Sequence, residues 1–425
     1  MSLSRREFLT TSATLAAIPV PHIGSQMEAG AGSVRTDTAH RTVRDSRSRG
    51  FDPWIEVLPE AINHNVSEVA RLAGNRPILA VVKNNAYGLG VETVGRILDQ
   101  HSQIVGLAVV KADQALRLRS AGVRKPIVLM GQFDEPEGEE LVTHGIELAP
   151  YSEAAEEILA RIAQQVGRPI PVHLYLDTGM SRLGMPYRRA AGWAQRISDL
   201  PTVRVQSTFS ALTEEDDFDQ EQVRRFLEVA RKAKQHGVGL GMLHLASSHG
   251  LFFRPTAHLD MVRPGLTLYG AYPAGAREHG SARLVPAFRL KARVVRVERL
   301  EPGDSVSYGR EYVADEPTWV ATLPVGHADG YPRRAVRGCE VLLEGRLYPV
   351  IGAVSASHTI VELGMQQVAR VGDVATLVGP DSEQVHPNTV ATRAGISVYD
   401  VLMHLGAQLP KRVVRDTVSG DEPAQ

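Results

Sequence analysis

Lys83 is the residue of this chain best placed for covalent chemistry. It follows an apolar run, Ile78-Leu79-Ala80-Val81-Val82, and precedes Asn84-Asn85-Ala86-Tyr87 and a turn marked by Gly88 and Gly90. Such a run suits a strand covered on both faces, and the segment after the glycines reads as a helix. A lysine at the mouth of that strand lies among apolar neighbours. Desolvation there favours the neutral amine, the nucleophile that a Schiff base needs. Tyr87, four residues on, offers a hydroxyl to the same mouth. Spacing alone also fits a lysine that snorkels from a strand end into water. What else reaches the mouth decides between the two.

Other polar residues recur in the same kind of place, at or near an end of an apolar run. They are Asp177-Thr178-Gly179, Arg182, Thr208, Ser247-Ser248, Arg263 and Gly265. The runs themselves are Ile78–Lys83, Ile104–Val110, Pro126–Gly131, Ile146–Pro150, Pro171–Leu176, Val203–Phe209, Leu240–Ala246 and Leu266–Gly270. Amphipathic stretches of helical length lie between them, among them Val91–Asp99, Ala112–Ser120, Ser152–Gln165, Arg188–Ser198 and Gln220–His236. Alternating strand and helix predicts parallel strands with crossover helices. Eight such units predict a (β/α)₈ barrel, with a doubly wound open sheet as the alternative. A barrel gathers the residues at its carboxyl strand ends into one mouth. An isolated arginine or serine in a loop is usually just solvated, but convergence from several strand ends is harder to dismiss.

Past Tyr272 the rhythm changes to strand-like runs with turn residues: Lys291–Leu300, Val320–Val325, Glu340–Leu343, Tyr348–Val354, Thr359–Leu363 and Val374–Gly379. They predict a second, mainly β domain closed by a helix over Ser397–Leu405. The division expected is a leader over 1–31, a linker over 32–50, the barrel over 51–285 and the β domain over 286–425.

The chain has 425 residues and a formal net charge of −1, so no basic surface of the kind that binds nucleic acid is implied. Its one cysteine, Cys339, excludes an intrachain disulfide and a cysteine metal cage. Ser4-Arg5-Arg6-Glu7-Phe8-Leu9 followed by the apolar run Thr10–Val20 has the form of a twin-arginine export signal. The run is too short for a permanent membrane anchor. Ala29-Gly30-Ala31 offers small residues for cleavage, so a mature chain starting at Gly32 in the periplasm is expected. Twin-arginine export carries folded proteins, which suits one that takes up a cofactor before leaving the cytoplasm.

Five motifs occur in order. They are Ala80-Val81-Val82-Lys83-Asn84-Asn85-Ala86-Tyr87-Gly88, Asp177-Thr178-Gly179-Met180-Ser181-Arg182-Leu183-Gly184, Val262-Arg263-Pro264-Gly265-Leu266-Thr267-Leu268-Tyr269-Gly270, Val306-Ser307-Tyr308-Gly309-Arg310 and Gly326-His327-Ala328-Asp329-Gly330-Tyr331-Pro332-Arg333. With them the chain, from about Trp54 to Arg415, resembles the alanine racemase family of pyridoxal 5′-phosphate (PLP) enzymes, which join a barrel to a β domain. Several motifs in order are far more specific than one glycine pattern. The resemblance implies that Lys83 is the PLP Schiff-base lysine. It implies that Tyr87, Ser248, the amides of Gly265 and Leu266, and Tyr399 hold the phosphate. A glycine is apt there, since a missing Cβ lets backbone approach an anion. It implies that Arg263 faces the pyridine nitrogen. An arginine keeps its own proton, leaving that nitrogen unprotonated and the cofactor a weaker electron sink.

By the same resemblance Tyr308 is the second acid/base opposite Lys83, supplied by the β domain of a neighbouring subunit in a head-to-tail homodimer. Arg182 orients the substrate, and Asp177-Thr178-Gly179 forms the turn that presents it. The chain departs from the family at Tyr175 (commonly lysine), Thr208 (histidine), Ser247 (asparagine), His327 (tyrosine) and Val354–His358, where Ala356 stands for a methionine on the substrate side. The expected activity is an amino-acid racemase acting on alanine or a broader set. Another PLP reaction on this fold, a decarboxylation or aldol cleavage, and a non-catalytic PLP-binding protein are the alternatives. The retained Tyr308 and Arg263 speak against the first of these. The presence of a β domain speaks against the second.

Overall fold

The structure is a computed structural model that describes residues 50, 52–405 and 409–415. The elements below lie in one compact unit that begins at Phe51. The expected leader and nearly all of the expected linker lie outside the described residues.

Seven parallel strands follow one another in the order Ile78–Val81, Ile104–Val109, Ile127–Leu129, Ile146–Leu148, Ile170–Asp177, Val203–Phe209 and Met242–His244. Helices separate successive strands. In Ala155–Val166 the buried residues Ala155, Leu159, Ile162 and Ala163 form one stripe at helical spacing. That helix ends at Gly167, whose φ of 69° is the left-handed cap that glycine adopts without a Cβ clash.

The sheet closes at a different place from the one the sequence predicts. Leu266–Tyr269 is a 3-10 turn, not a strand. The eighth position is taken by the residues around Val262. Asp260 N–H donates to Leu243 O and Arg263 N–H to Ala246 O on one side. Leu79 and Val81 N–H donate to Val262 and Pro264 O on the other. Pro264 has no N–H to extend a ladder, and the buried run after it is short enough to serve as either a strand or one helical turn.

The second sheet has nine strands in the order Arg296–Leu300, Thr318–Leu323, Thr359–Gly364, Arg346–Ile351, Glu340–Leu343, Val374–Val378, Phe288–Arg293, Trp54–Val57 and Lys411–Val413. Phe288–Arg293 alternates buried and half-buried residues, the period of a strand with one covered face. Trp54–Val57 belongs to this sheet, although the sequence division counts it with the barrel. It pairs antiparallel with Phe288–Arg293 and parallel with Lys411–Val413. Four apolar-rich residues carry no mark of which sheet they join, because that choice is made by partners more than 200 residues away. The closing helix is Val398–His404, capped by Ser397 Oγ, which accepts from Tyr399 N–H. Among the described residues no helix is long and apolar enough to cross a membrane.

Candidate active site

Lys83 leaves its strand into an unusual backbone. Asn84, Asn85, Ala86 and Tyr87 have φ of 53°, 56°, 52° and 53°, a left-handed turn that ends at Gly88 with φ of 88°. Each residue with a Cβ costs roughly 1–2 kcal/mol in this region, asparagine least. The turn is held by Ala86 N–H to Val82 O, Gly88 N–H to Asn84 O and Gly90 N–H to Asn85 O. Asn85 Oδ1 also accepts from Val91 N–H at the start of the next helix. Tyr87 is 3% exposed, its ring centroid 4.5 Å from that of Tyr269 and 6.3 Å from that of Tyr399. The strained turn therefore fixes the tyrosine, with Lys83 Nζ 6.0 Å from its ring centre.

The Tyr87 hydroxyl faces Gly265. A Cβ on Gly265 would lie 2.2 Å from Tyr87 Oη, so any larger residue there must displace the tyrosine. Ser248 Oγ accepts from Gly265 N–H at 3.1 Å and from Thr267 N–H at 3.3 Å, and lies 3.3 Å from Thr267 Oγ1. Leu266 is the first residue of the 3-10 turn, where an N–H has no partner within the turn. The hydroxyls of Tyr87 and Ser248 and these amides meet where no side chain at position 265 intrudes, and Tyr399 lines the same cavity. That donor set fits a phosphate.

Arg263 is 6% exposed. Its Nη1 donates to His244 Nδ1 at 2.9 Å, its Nη2 donates to Ser210 O at 2.8 Å, and its guanidinium lies 4.9 Å from the centre of the Phe209 ring. Burial lowers its pKa to about 10, with Tyr175 opposing and Arg182 adding to the fall, so it remains a cation at neutral pH. The Lys83 amine is also pushed down, first by burial and then by Arg182 and Arg263, with Glu214 opposing. Its neutral form is thus reached at lower pH than in a free lysine. Arg182 stands on a turn whose start is tied by Asp177 Oδ1, which accepts from Gly179 and Ser181 N–H.

Lys83, Tyr87, Arg182, Ser248, Arg263, Gly265 and Tyr399 line a single cavity of about 470 Å³. Leu266 is buried beside it. Burial, with help from Glu214, raises the Tyr399 pKa to about 12, so its hydroxyl stays a donor. Tyr308 is not part of this cavity. It is 76% exposed on a 3-10 turn, between Ser307 and Gly309 with φ of 63° and 72°. Ala356 and His327 are also elsewhere, but they are neighbours. His327 and Ala328 N–H donate to Ser355 and Ala356 O. His327 lines a second cavity with Tyr331, Arg333 and Met403.

Of the other departures, Tyr175 stacks on Phe209 at 4.4 Å, Thr208 donates its hydroxyl to Leu240 O, and Ser247 lines the Lys83 cavity. Sequence reasoning missed Thr267, Phe209 and Glu214. Phe209 ends a strand and carried the same positional signal as Lys83. Glu214 sits in the acidic stretch Glu214-Glu215-Asp216-Asp217, which reads as a solvated face.

Residues 57–273 match the family model "Alanine racemase, N-terminal domain", and residues 287–413 match "Alanine racemase, C-terminal domain". The chain is 32% identical over 364 residues to an alanine racemase of Desulforamulus reducens, covering 84% of this chain and 98% of that protein. It is 33% identical over 368 residues to one of Synechocystis, covering 85% and 98%. Among solved structures, the biosynthetic alanine racemase from Pseudomonas aeruginosa is similar at 30% identity with a TM-score of 0.76, covering 86% of this chain and all of that one. The alanine racemase from a D-cycloserine-producing Streptomyces lavendulae is similar at 27% identity and a TM-score of 0.79, covering 87% and 98%.

Proposed function

Because the chain belongs to the alanine racemase family, we propose that it racemises alanine and larger amino acids by a two-base mechanism with Lys83 and Tyr308 as the bases. It is a PLP-dependent amino-acid racemase. When bound, PLP supplies a ring that spreads the electrons left behind when a Cα–H bond breaks.

The observation that carries the site assignment is one cavity holding an amine of lowered pKa beside a cluster of phosphate-fitting donors. Lys83 carries the cofactor and moves a proton at its Nζ on one face of the substrate. Tyr87, Ser248, Tyr399 and the amides after Pro264 bind the phosphate. Arg263, a donor that keeps its proton, faces the pyridine nitrogen. Arg182 orients the substrate carboxylate. Racemisation needs a second proton carrier on the opposite face. Tyr308 suits that role if a second copy presents it, since it is exposed to solvent and does not line the Lys83 cavity of its own chain. The active form is therefore a homodimer with shared sites.

The breadth of substrate rests on the paired positions His327 and Ala356, each smaller than the residue common in the family; like Tyr308 they lie outside the Lys83 cavity of their own chain, so in the dimer they would border the entrance to the second copy's site. A wider entrance accepts longer side chains, basic ones included, each buried CH₂ being worth roughly 0.8 kcal/mol. Export to the periplasm as a folded, cofactor-loaded protein rests on Ser4-Arg5-Arg6-Glu7-Phe8-Leu9. The test of function is a chiral assay of the purified protein on L-alanine, with borohydride fixation of the cofactor. D-alanine should form, and the labelled peptide should contain Lys83. No D-isomer, or a label on another lysine, would overturn the assignment.

A further inference from the structure

The interior of a (β/α)₈ barrel is ordinarily filled by layers of branched apolar side chains. Here one chain of side chains across the interior is polar. Arg263 donates from Nη1 to His244 Nδ1 at 2.9 Å. His244 Nε2 is 2.9 Å from Ser207 Oγ, which is 2.6 Å from His173 Nδ1. His173 Nε2 is 2.6 Å from Glu147 Oε2. The members come one each from neighbouring strands: Glu147 from Ile146–Leu148, His173 from Ile170–Asp177, Ser207 from Val203–Phe209 and His244 from Met242–His244. Arg263 completes the series from the segment that closes the barrel. His244 is 0%, Ser207 2% and His173 6% exposed.

The geometry points to Glu147 as a positioning residue that acts through His173, Ser207 and His244 to hold Arg263 in place as a cation. This inference rests on the reading that Arg263 faces the cofactor. Elementary donor counting gives the chain one direction. A guanidinium has no acceptor, so His244 Nδ1 carries no proton, and the neutral ring bears its hydrogen on Nε2. Burial, the nearby Arg263 charge and His173 push the pKa of His244 well down, in keeping with a neutral ring. His244 then donates to Ser207 Oγ, the serine hydroxyl donates to His173 Nδ1, and His173 Nε2–H donates to the Glu147 carboxylate. Each bond polarises the next.

The arrangement answers a physical need. Arg263 is a buried charge whose two hydrogen-bond partners, His244 Nδ1 and Ser210 O, are both neutral. Arg182 and Lys83 line the same cavity and repel it. The carboxylate that ends its hydrogen-bond chain is Glu147, four bonds away. A direct carboxylate partner at Arg263 would compete for the donor that the cofactor needs. A remote one, relayed through neutral rings, leaves the rest of the guanidinium available.

The test uses ¹⁵N-labelled full-length protein, with and without PLP, as wild type, Glu147→Gln and Glu147→Leu. Ring-nitrogen shifts report the tautomers, and titration of the apoprotein with PLP, followed by visible absorption, reports affinity. His173 and His244 should both be neutral Nε2–H rings in wild type. Glu147→Gln keeps the acceptor for His173 Nε2–H but not the charge, so it should preserve the tautomer pattern and weaken PLP less than Glu147→Leu does. Glu147→Leu should disturb the His173 and His244 signals and weaken PLP by roughly tenfold, the scale of losing an outer hydrogen-bond partner at a metal ligand. A doubly protonated His173, or a Glu147→Leu protein with unchanged His244 signals and PLP affinity, overturns the inference. If Glu147→Leu does not fold, the wild-type tautomers and Glu147→Gln decide it alone. The tautomers of the apoprotein do not depend on where PLP binds, so failure of the relay is separable from failure of the cofactor reading.

Discussion

Gly265→Ala is the smallest change that should strike the proposed phosphate cradle. Its Cβ would sit 2.2 Å from Tyr87 Oη, 3.0 Å from Cζ and 3.3 Å from Cε2. The added methyl meets no backbone penalty of the left-handed kind, since φ at Gly265 is −126°. The cost is therefore steric, and it falls on the tyrosine. Tyr87 has little room to retreat, being buried against Tyr269 and anchored on a turn that is already strained. Overpacking of this sort costs about 1–3 kcal/mol. At about 1.4 kcal/mol per decade, that is roughly a 5–150-fold loss of PLP affinity if the strain is released only when the cradle opens. Apoprotein titrated with PLP, followed by visible absorption, measures it. Tyr87→Phe removes the atom in closest conflict, so in that background Gly265→Ala should cost less, a coupling that a double-mutant cycle reads directly. Unchanged PLP affinity in Gly265→Ala, or strict additivity with Tyr87→Phe, would refute the placement of the phosphate.

Three further outcomes are expected. Lys83 has a lowered pKa when folded, so between that value and the free-lysine value of 10.5 the unfolded chain binds the extra proton. Apoprotein stability should therefore rise with pH across that window, and Lys83→Met should remove that part of the slope in paired thermal melts. An equal slope in both proteins would contradict the burial of the amine. Wild type should turn over serine, methionine, lysine and arginine as well as alanine, and Ala356→Met with His327→Tyr should shift kcat/KM back toward alanine. An alanine-only wild type, or an unmoved ranking in the double variant, would rule out a widened entrance. Replacing Arg5 and Arg6 by lysine should strand active enzyme in the cytoplasm, and undiminished periplasmic activity would exclude twin-arginine export.

Much of the site was legible because a barrel turns local signals into shared geometry. Lys83 and Ser248 each follow a short apolar run that packs in the barrel wall, and the convergence of those ends is a property of the fold; Arg263 lies ahead of the run misread as the eighth strand, and only its motif marked it. Gly265 was legible as a close approach, though that Tyr87 makes the approach was not. The closure was misplaced because Leu266–Tyr269 is as apolar as a strand, whereas the bonds around Val262 are made to residues far away in sequence. The left-handed turn left only the weak trace of two asparagines. The Glu147–His173 pair did leave a trace, charged and titratable residues inside apolar strand runs, but pairing it with Ser207 and His244 requires knowing which strands are neighbours. Tyr308 lies on an exposed turn, and no contact within one chain reveals what it meets.

The shared, two-base site is tested most directly by subunit mixing. Lys83→Ala and Tyr308→Phe proteins, each inactive alone, are co-expressed with different tags and the heterodimer is isolated. In a two-fold dimer one of its sites would combine an intact Lys83 with an intact Tyr308 and the other would lack both, so about half of wild-type activity should return. A verified heterodimer that stays as inactive as its parents would contradict the sharing of the site between subunits.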